Sequence, residues 1–269
     1  MIRLLIGLLT GVVAGVHIAT WGMYKDSPHE GFTWARYSRG IILGAVIGVV
    51  AVPATGLDPT RAASLVVLFG VVYAGERAVE EFYKTFLREE DQSKYTIPMQ
   101  FHVLGRVVQS RALRWSVAAG VLAVASLLVW AVVALQRSPW ADSLIVAAGV
   151  GTLASWVSAV GGAWKDAPIE GFETLKFFRS PGIALVYALL LTRMTDSLLL
   201  LAFAAAGYTV ATIETYKTFF FPHKPRGKFS DKPVLFPVML RRRRAFVPVY
   251  AAIWTLMIAG FAAGLLAAD

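Results

Sequence analysis

Two stretches carry the same chemically active residues in the same order: Lys25-Asp26-Ser27-Pro28-His29-Glu30-Gly31-Phe32 and Lys165-Asp166-Ala167-Pro168-Ile169-Glu170-Gly171-Phe172. A cation with two carboxylates in so short a span suits an anion clamp, acid–base chemistry or a magnesium–phosphate site. Each copy is followed by further cations, Arg36 and Arg39 after the first, Lys176 and Arg179 after the second. A second pair of matching segments lies downstream, Glu81-Phe82-Tyr83-Lys84-Thr85-Phe86 and Glu214-Thr215-Tyr216-Lys217-Thr218-Phe219. Glu81 with Lys84, and Glu214 with Lys217, stand three residues apart and so share a helical face. The offset between copies shifts from 140 residues in the first motif to 133 in the second, as a change of loop length produces in a duplicated unit.

The copies differ at membrane depth. Glu76, Arg77 and Glu80 correspond to Thr209, Val210 and Ile213, so the first half carries extra charge. These residues suit either an internal salt-bridge arrangement or an active role confined to one half. His17 stands alone inside an apolar run, where an interhelical hydrogen-bonding role is expected ahead of a proton relay or ligand.

A plainer reading of the motif is also available. A helix ends, Lys25 or Lys165 complements its dipole, and Asp26, Ser27 or Asp166 caps a new helix with Pro in its first turn. The segments 31–39 and 171–179 then form short aromatic and basic helices at the headgroup level. Capping leaves the second acid and the later cations without a role.

The elements that must position these residues follow from composition. Hydrophobic residues make up 57% of the chain against 16% charged, which fits a polytopic membrane protein. The absence of Cys excludes disulfides, thiolate chemistry and Cys-based metal sites. Spans are expected at about 2–22, 40–57, 115–136, 141–164, 180–193, 196–213 and 245–267, with a third that begins after Arg61, is apolar only to about residue 74 and then meets Glu76, Arg77, Glu80 and Glu81, charges that must leave the hydrocarbon or face the protein interior. The first resembles a secretory signal in outline, but it is as long as a span and 141–164 takes its place in the second half, so it is read as a helix. Gly7, Gly11 and Gly15, and Gly40, Gly44 and Gly48, keep the four-residue spacing of close-packed membrane helices. Trp21, Trp34, Trp115, Trp140 and Trp164 fall near span ends, as in interfacial belts.

The expected fold is an all-α integral membrane protein of about eight transmembrane helices. These form two tandem four-helix repeats, 1–137 and 138–269, in parallel orientation, with short interfacial helices on the cytoplasmic side. Of the 26 Lys and Arg residues, all but Arg3, Arg61, Arg137 and Arg193 fall on the motif side. That asymmetry makes the motif side cytoplasmic and puts both termini opposite. The net charge of +9 is then positive-inside bias rather than a nucleic-acid footprint. The basic stretch 222–244, ending in Arg241-Arg242-Arg243-Arg244, reads as a topology determinant and anionic-lipid contact, or as a docking surface for a protein partner.

No metal site is indicated, because the four His residues lack ligand spacing. No cofactor is identified, since bound pigments or quinones leave no dependable trace in such a sequence. Signature loops of phosphate-binding, hydrolase and metalloprotease type are absent. If the halves pack about a pseudo-twofold axis, Lys25, Asp26, Glu30, Arg39, Glu81 and Lys84 would meet Lys165, Asp166, Glu170, Arg179, Glu214 and Lys217 in a charged vestibule. The leading expectation is a transporter or channel-like protein for an anionic solute or lipid headgroup. A non-catalytic membrane subunit or scaffold is the alternative, and an intramembrane enzyme on a lipid phosphate is a second.

Overall fold

In a computed structural model of the chain, each apolar run becomes a helix. The structure describes residues 1–95, 97–221, 229 and 232–267, without the side chains of Lys94 and Glu170. The helices are α1 (Ile2–Glu30), α2 (Trp34–Thr55), α3 (Ala62–Phe82), α4 (Arg111–Gln136), α5 (Leu144–Glu170), α6 (Thr174–Leu191), α7 (Leu198–Phe219) and α8 (Pro237–Leu266). A π-turn over Tyr83–Leu87 prolongs α3. Among the described residues these eight are the helices long and apolar enough to cross a membrane. Between α3 and α4 lie a 3-10 turn (Gln92–Lys94) and a small antiparallel hairpin of β1 (His102–Val103) with β2 (Arg106–Val107).

Contacts fix which helix ends lie together. Near the start of α1, Arg3 pairs with Asp58 of the α2–α3 turn at 3.0 Å. At the same end Gln136 Oε1, closing α4, accepts from the backbone N–H of Leu198, which opens α7, at 2.6 Å. The C-terminal ends of α1 and α5, with both copies of the repeated motif, lie at the other end, the motif end.

Two glycine contacts set the helix packing. A Cβ built on Gly11 would stand 2.1 Å from the Gly44 carbonyl oxygen, so α1 and α2 touch backbone to backbone. At the centre, a Cβ on Gly207 of α7 would fall 2.0 Å from the Gly70 oxygen of α3. The α3–α7 crossing is surrounded by buried Val66, Val67, Leu68 and Val72 on one side and Leu201, Ala204, Ala205 and Tyr208 on the other. There Tyr208 Oη donates to the Val66 carbonyl at 2.9 Å. The helix α4 rests on α7, whereas α8 rests on α3 and α1. Helices from early and late in the chain therefore share one core.

Three local expectations are corrected. First, α1 does not end before the motif but runs through Lys25, Asp26 and Pro28 to Glu30. It stops at Gly31, whose φ of 83° and ψ of 164° suit glycine alone. Gly171 ends α5 in the same way, with φ 84° and ψ 161°. Asp26 and Ser27 are thus interior to a helix and cap nothing; the N-cap of α2 is Thr33, whose side chain accepts from Arg36 N. Second, separate interfacial helices over 31–39 and 171–179 do not form. Trp34 to Arg39 are the first residues of α2, and 174–179 the first of α6, because no proline precedes Pro53 or Pro181 in those helices to break them. Third, Trp21 does not sit in an interfacial belt. It is only 6% exposed, whereas Trp34, Trp140 and Trp164 are open to the surroundings.

Candidate functional site at the motif end

Pro28 explains how the first motif is tied down. Without an N–H it cannot donate to the Tyr24 carbonyl four residues back, which leaves an acceptor inside α1. Arg243 turns inward from the basic run and supplies the donor, its Nη2 2.7 Å from that oxygen. At the helix end, the Pro28 carbonyl accepts from the backbone N–H groups of Leu235 and Phe236, at 2.8 and 2.9 Å. His29 Nδ1 lies 2.8 Å from the Pro233 carbonyl, and its ring stacks on Phe229 at 4.3 Å. The described part of the 222–244 stretch is therefore folded over the first motif; residues 222–228, 230 and 231 lie outside the described residues.

Arg243→Leu is expected to lower stability by about 1–3 kcal/mol, since it strips a buried carbonyl of its donor. In a Pro28→Ala background the helix satisfies that carbonyl itself, and the same change should do much less harm. Denaturant titration of the four proteins in one detergent measures the coupling. Equal losses in both backgrounds would refute the assignment.

Above this end the charged residues form two paired groups. In the first, Glu214 of α7 is held from both sides, by Lys25 of α1 at 3.0 Å and by Lys217 at 2.8 Å. The Lys25 ammonium also lies over the Trp21 ring, 4.7 Å from its centroid. In the second, Arg77 of α3 pairs with Glu81 and approaches Glu76 at 3.8 Å. Glu80 accepts from Arg39 of α2 at 2.5 Å and lies 3.1 Å from Lys84. Glu76, Glu80 and Glu214 are buried, and their charges are tolerated because cations reach them from neighbouring helices or the next turn. Asp26 lies in electrostatic range of Lys25 and Lys84.

The second copy is arranged differently. Lys165 is in electrostatic range of Glu81, and Arg179 of Lys217. Yet among the described residues neither cation has a hydrogen bond or an ion pair from its side chain. Glu30 and Asp166 are half-buried near the ends of α1 and α5; the side chain of Glu170 lies outside the described residues. The structure thus brings Lys25, Glu214 and Lys217 together, and Arg39, Glu76, Arg77, Glu80, Glu81 and Lys84 together. It does not join Lys165 or Arg179 to either group by a direct contact.

Partners of His17 and Trp21 that sequence reasoning passed over, Tyr73, Tyr250 and Trp254, connect this end to the interior of the helix bundle. His17 Nδ1 lies 3.0 Å from both Tyr73 Oη and Tyr250 Oη, and its ring stacks on Tyr250 at 4.0 Å. Trp21 Nε1 donates to Tyr73 Oη at 2.8 Å, and Trp254 Nε1 to Thr215 Oγ1 at 3.1 Å. A buried polar column therefore runs from His17 through Tyr73 to Trp21, which touches Lys25 and Arg77. The sequence marked His17 as an interhelical hydrogen-bonding group, but its partners showed only as aromatic residues inside apolar runs, which packing explains equally well.

Among the described residues no group of three or more His, Asp or Glu is placed to hold a metal ion. No protein-family model, no curated protein and no solved structure matches the chain.

Proposed function

We propose that this multi-pass membrane protein is a transporter or channel-like protein for an anionic solute or lipid headgroup, built as two tandem four-helix repeats in parallel orientation. The reading rests on one observation above the others: Glu214 of α7 is clasped between Lys25 of the first motif and Lys217, at 3.0 and 2.8 Å, where α1 meets α7 near the ends of two apolar helices. Ionisable groups are expensive there and are retained mainly where an ion or solute passes. In this reading Glu214 stands in for the anion. A substrate carboxylate or phosphate competes with it for Lys25, and the exchange loosens the contact between α1 and α7. The excess of Lys and Arg at the motif end supports a cytoplasmic placement of that end.

The test is flux in vesicles containing the purified protein, using a panel of labelled anions together with a fluorescent-lipid flip assay. Lys25→Gln, Arg39→Gln, Lys165→Gln and Arg179→Gln should each change the rate at least about tenfold, the effect of roughly 1.4 kcal/mol. Unaltered rates in all four would end the proposal. A second reading, a non-catalytic subunit of a larger assembly, is favoured by the internal neutralisation of Lys25 and Arg39. It predicts no flux, and a stoichiometric partner retained through purification in mild detergent.

A further inference from the structure

Arg39 and Arg179 hold matching places, each the sixth residue of its helix. Their surroundings differ in one respect. Arg39 meets Glu80, whereas the position matching Glu80 on α7 is Ile213. Among the described residues Arg179 therefore has no acid, and its Nε is shut off from solvent without an acceptor. Arg39 Nε is shut off in the same way, but there Glu80 neutralises the guanidinium; at Arg179 the charge stands without an acid among the described residues and is available to an anion.

The space beside it has the shape for one. Arg179 lines a cavity of about 200 Å³ with Ile183, Thr212, Ile213 and Tyr216, between α6 and α7. The Thr212 hydroxyl is already engaged by Tyr187 Oη at 2.7 Å, so the guanidinium is the charged feature of a largely apolar wall. Five residues of rise place Arg179 about 7–8 Å from the start of α6. If α6 enters the bilayer near Thr174, that is the level where lipid phosphates give way to acyl chains. A free inorganic anion would satisfy the guanidinium but leave the isoleucine wall unfilled, whereas a phosphate joined to an aliphatic chain satisfies both.

We propose that the α6–α7 groove at Arg179 binds an anionic phospholipid, with its phosphate on the guanidinium and its acyl chain along Ile183 and Ile213. The inference rests on the same assignment of the motif end to anion chemistry as the transport reading, but its test requires no flux. Detergent-solubilised protein is titrated with phosphatidylglycerol or phosphatidylcholine and bound lipid is counted by native mass spectrometry. Wild type should take up phosphatidylglycerol preferentially. Arg179→Gln should weaken that binding about fivefold, the contribution of one cation near a charged headgroup, and leave phosphatidylcholine unaffected.

The decisive variant is Ile213→Glu, which retains Arg179 but supplies the acid found in the other half. It should abolish the preference as fully as Arg179→Gln, while Arg137→Gln at the opposite end changes nothing. Thermal melts in the same detergent verify that each variant is folded. Unchanged phosphatidylglycerol binding in both groove variants overturns the inference. Displacement of the lipid by millimolar inorganic phosphate, in wild type but not in Arg179→Gln, overturns its lipid part in favour of a free-anion site. A wild type that carries no flux but keeps the lipid preference removes the transport reading alone, and a wild type that carries flux without the preference removes this one alone.

Discussion

Replacing Glu214 by Gln is expected to lower the unfolding free energy by about 3 kcal/mol or more, because two ammonium groups lose their shared counter-charge within the helix bundle. The side chains involved are largely withdrawn from solvent, 21% exposed for Lys25 and 11% for Glu214, so water does little to replace the lost carboxylate. Lys25→Met should be milder, since Glu214 keeps Lys217. The triple replacement of Lys25, Glu214 and Lys217 by Met, Leu and Met should regain much of the stability lost in Glu214→Gln, as exchange of a buried ionic group for apolar ones often does. Unfolding in mixed micelles, read by tryptophan fluorescence, distinguishes these outcomes. A Glu214→Gln variant as stable as wild type would mean that the two lysines are hydrated in the native state. The clasp would then carry no structural weight. If the triple variant is stable but inactive in flux, the ionic group is kept for function rather than for folding.

The second large effect is expected from Gly11→Val. The added side chain has nowhere to go: even its Cβ would lie 2.1 Å from the Gly44 oxygen and 2.9 Å from the Ala45 Cα, both backbone atoms that no rotamer change moves. The α1–α2 pair must separate, and the loss should be at or above the upper end of overpacking, about 3 kcal/mol. Gly22→Ala on the same helix is the control. No atom lies within 4 Å of its added methyl, and it should be neutral or slightly stabilising through helix propensity. Thermal unfolding of the two variants against wild type is the measurement. If Gly11→Val melts with Gly22→Ala, the close crossing of α1 and α2 is wrong.

The eight helices were legible because hydrophobic runs of bilayer length have few other outcomes, and the glycine spacing marked α1 and α2 as close-packing helices without naming their partners. The end of α1 was not legible. Pro28 read as the first turn of a new helix because a proline inside a helix leaves an orphan carbonyl, and the residue that satisfies it, Arg243, lies 219 positions away in a run that reads as surface charge. Which cations would be neutralised was hidden for the same reason. Lys25 and Lys165 look equivalent in sequence, yet Glu214 takes the first, while Glu81, which stands where Glu214 does in the other copy, is captured by Arg77. The residue types at 76, 77 and 80 showed that the halves differ. Only the packing shows that the difference leaves Lys165 and Arg179 without direct partners among the described residues.

The clasp on Glu214 also imposes an order on the making of the protein. Lys25 is synthesised 189 residues before the carboxylate that neutralises it. At ordinary elongation rates of about 5–20 residues per second, that interval is roughly 10–40 s. During it α1 must keep an uncompensated ammonium at the water boundary, or borrow an anion from lipid or from the insertion machinery, while α2 to α6 are threaded past it. The arrival of α7 then draws that lysine inward. A membrane poor in anionic lipid should therefore hinder the assembly of this chain more than it destabilises the finished protein.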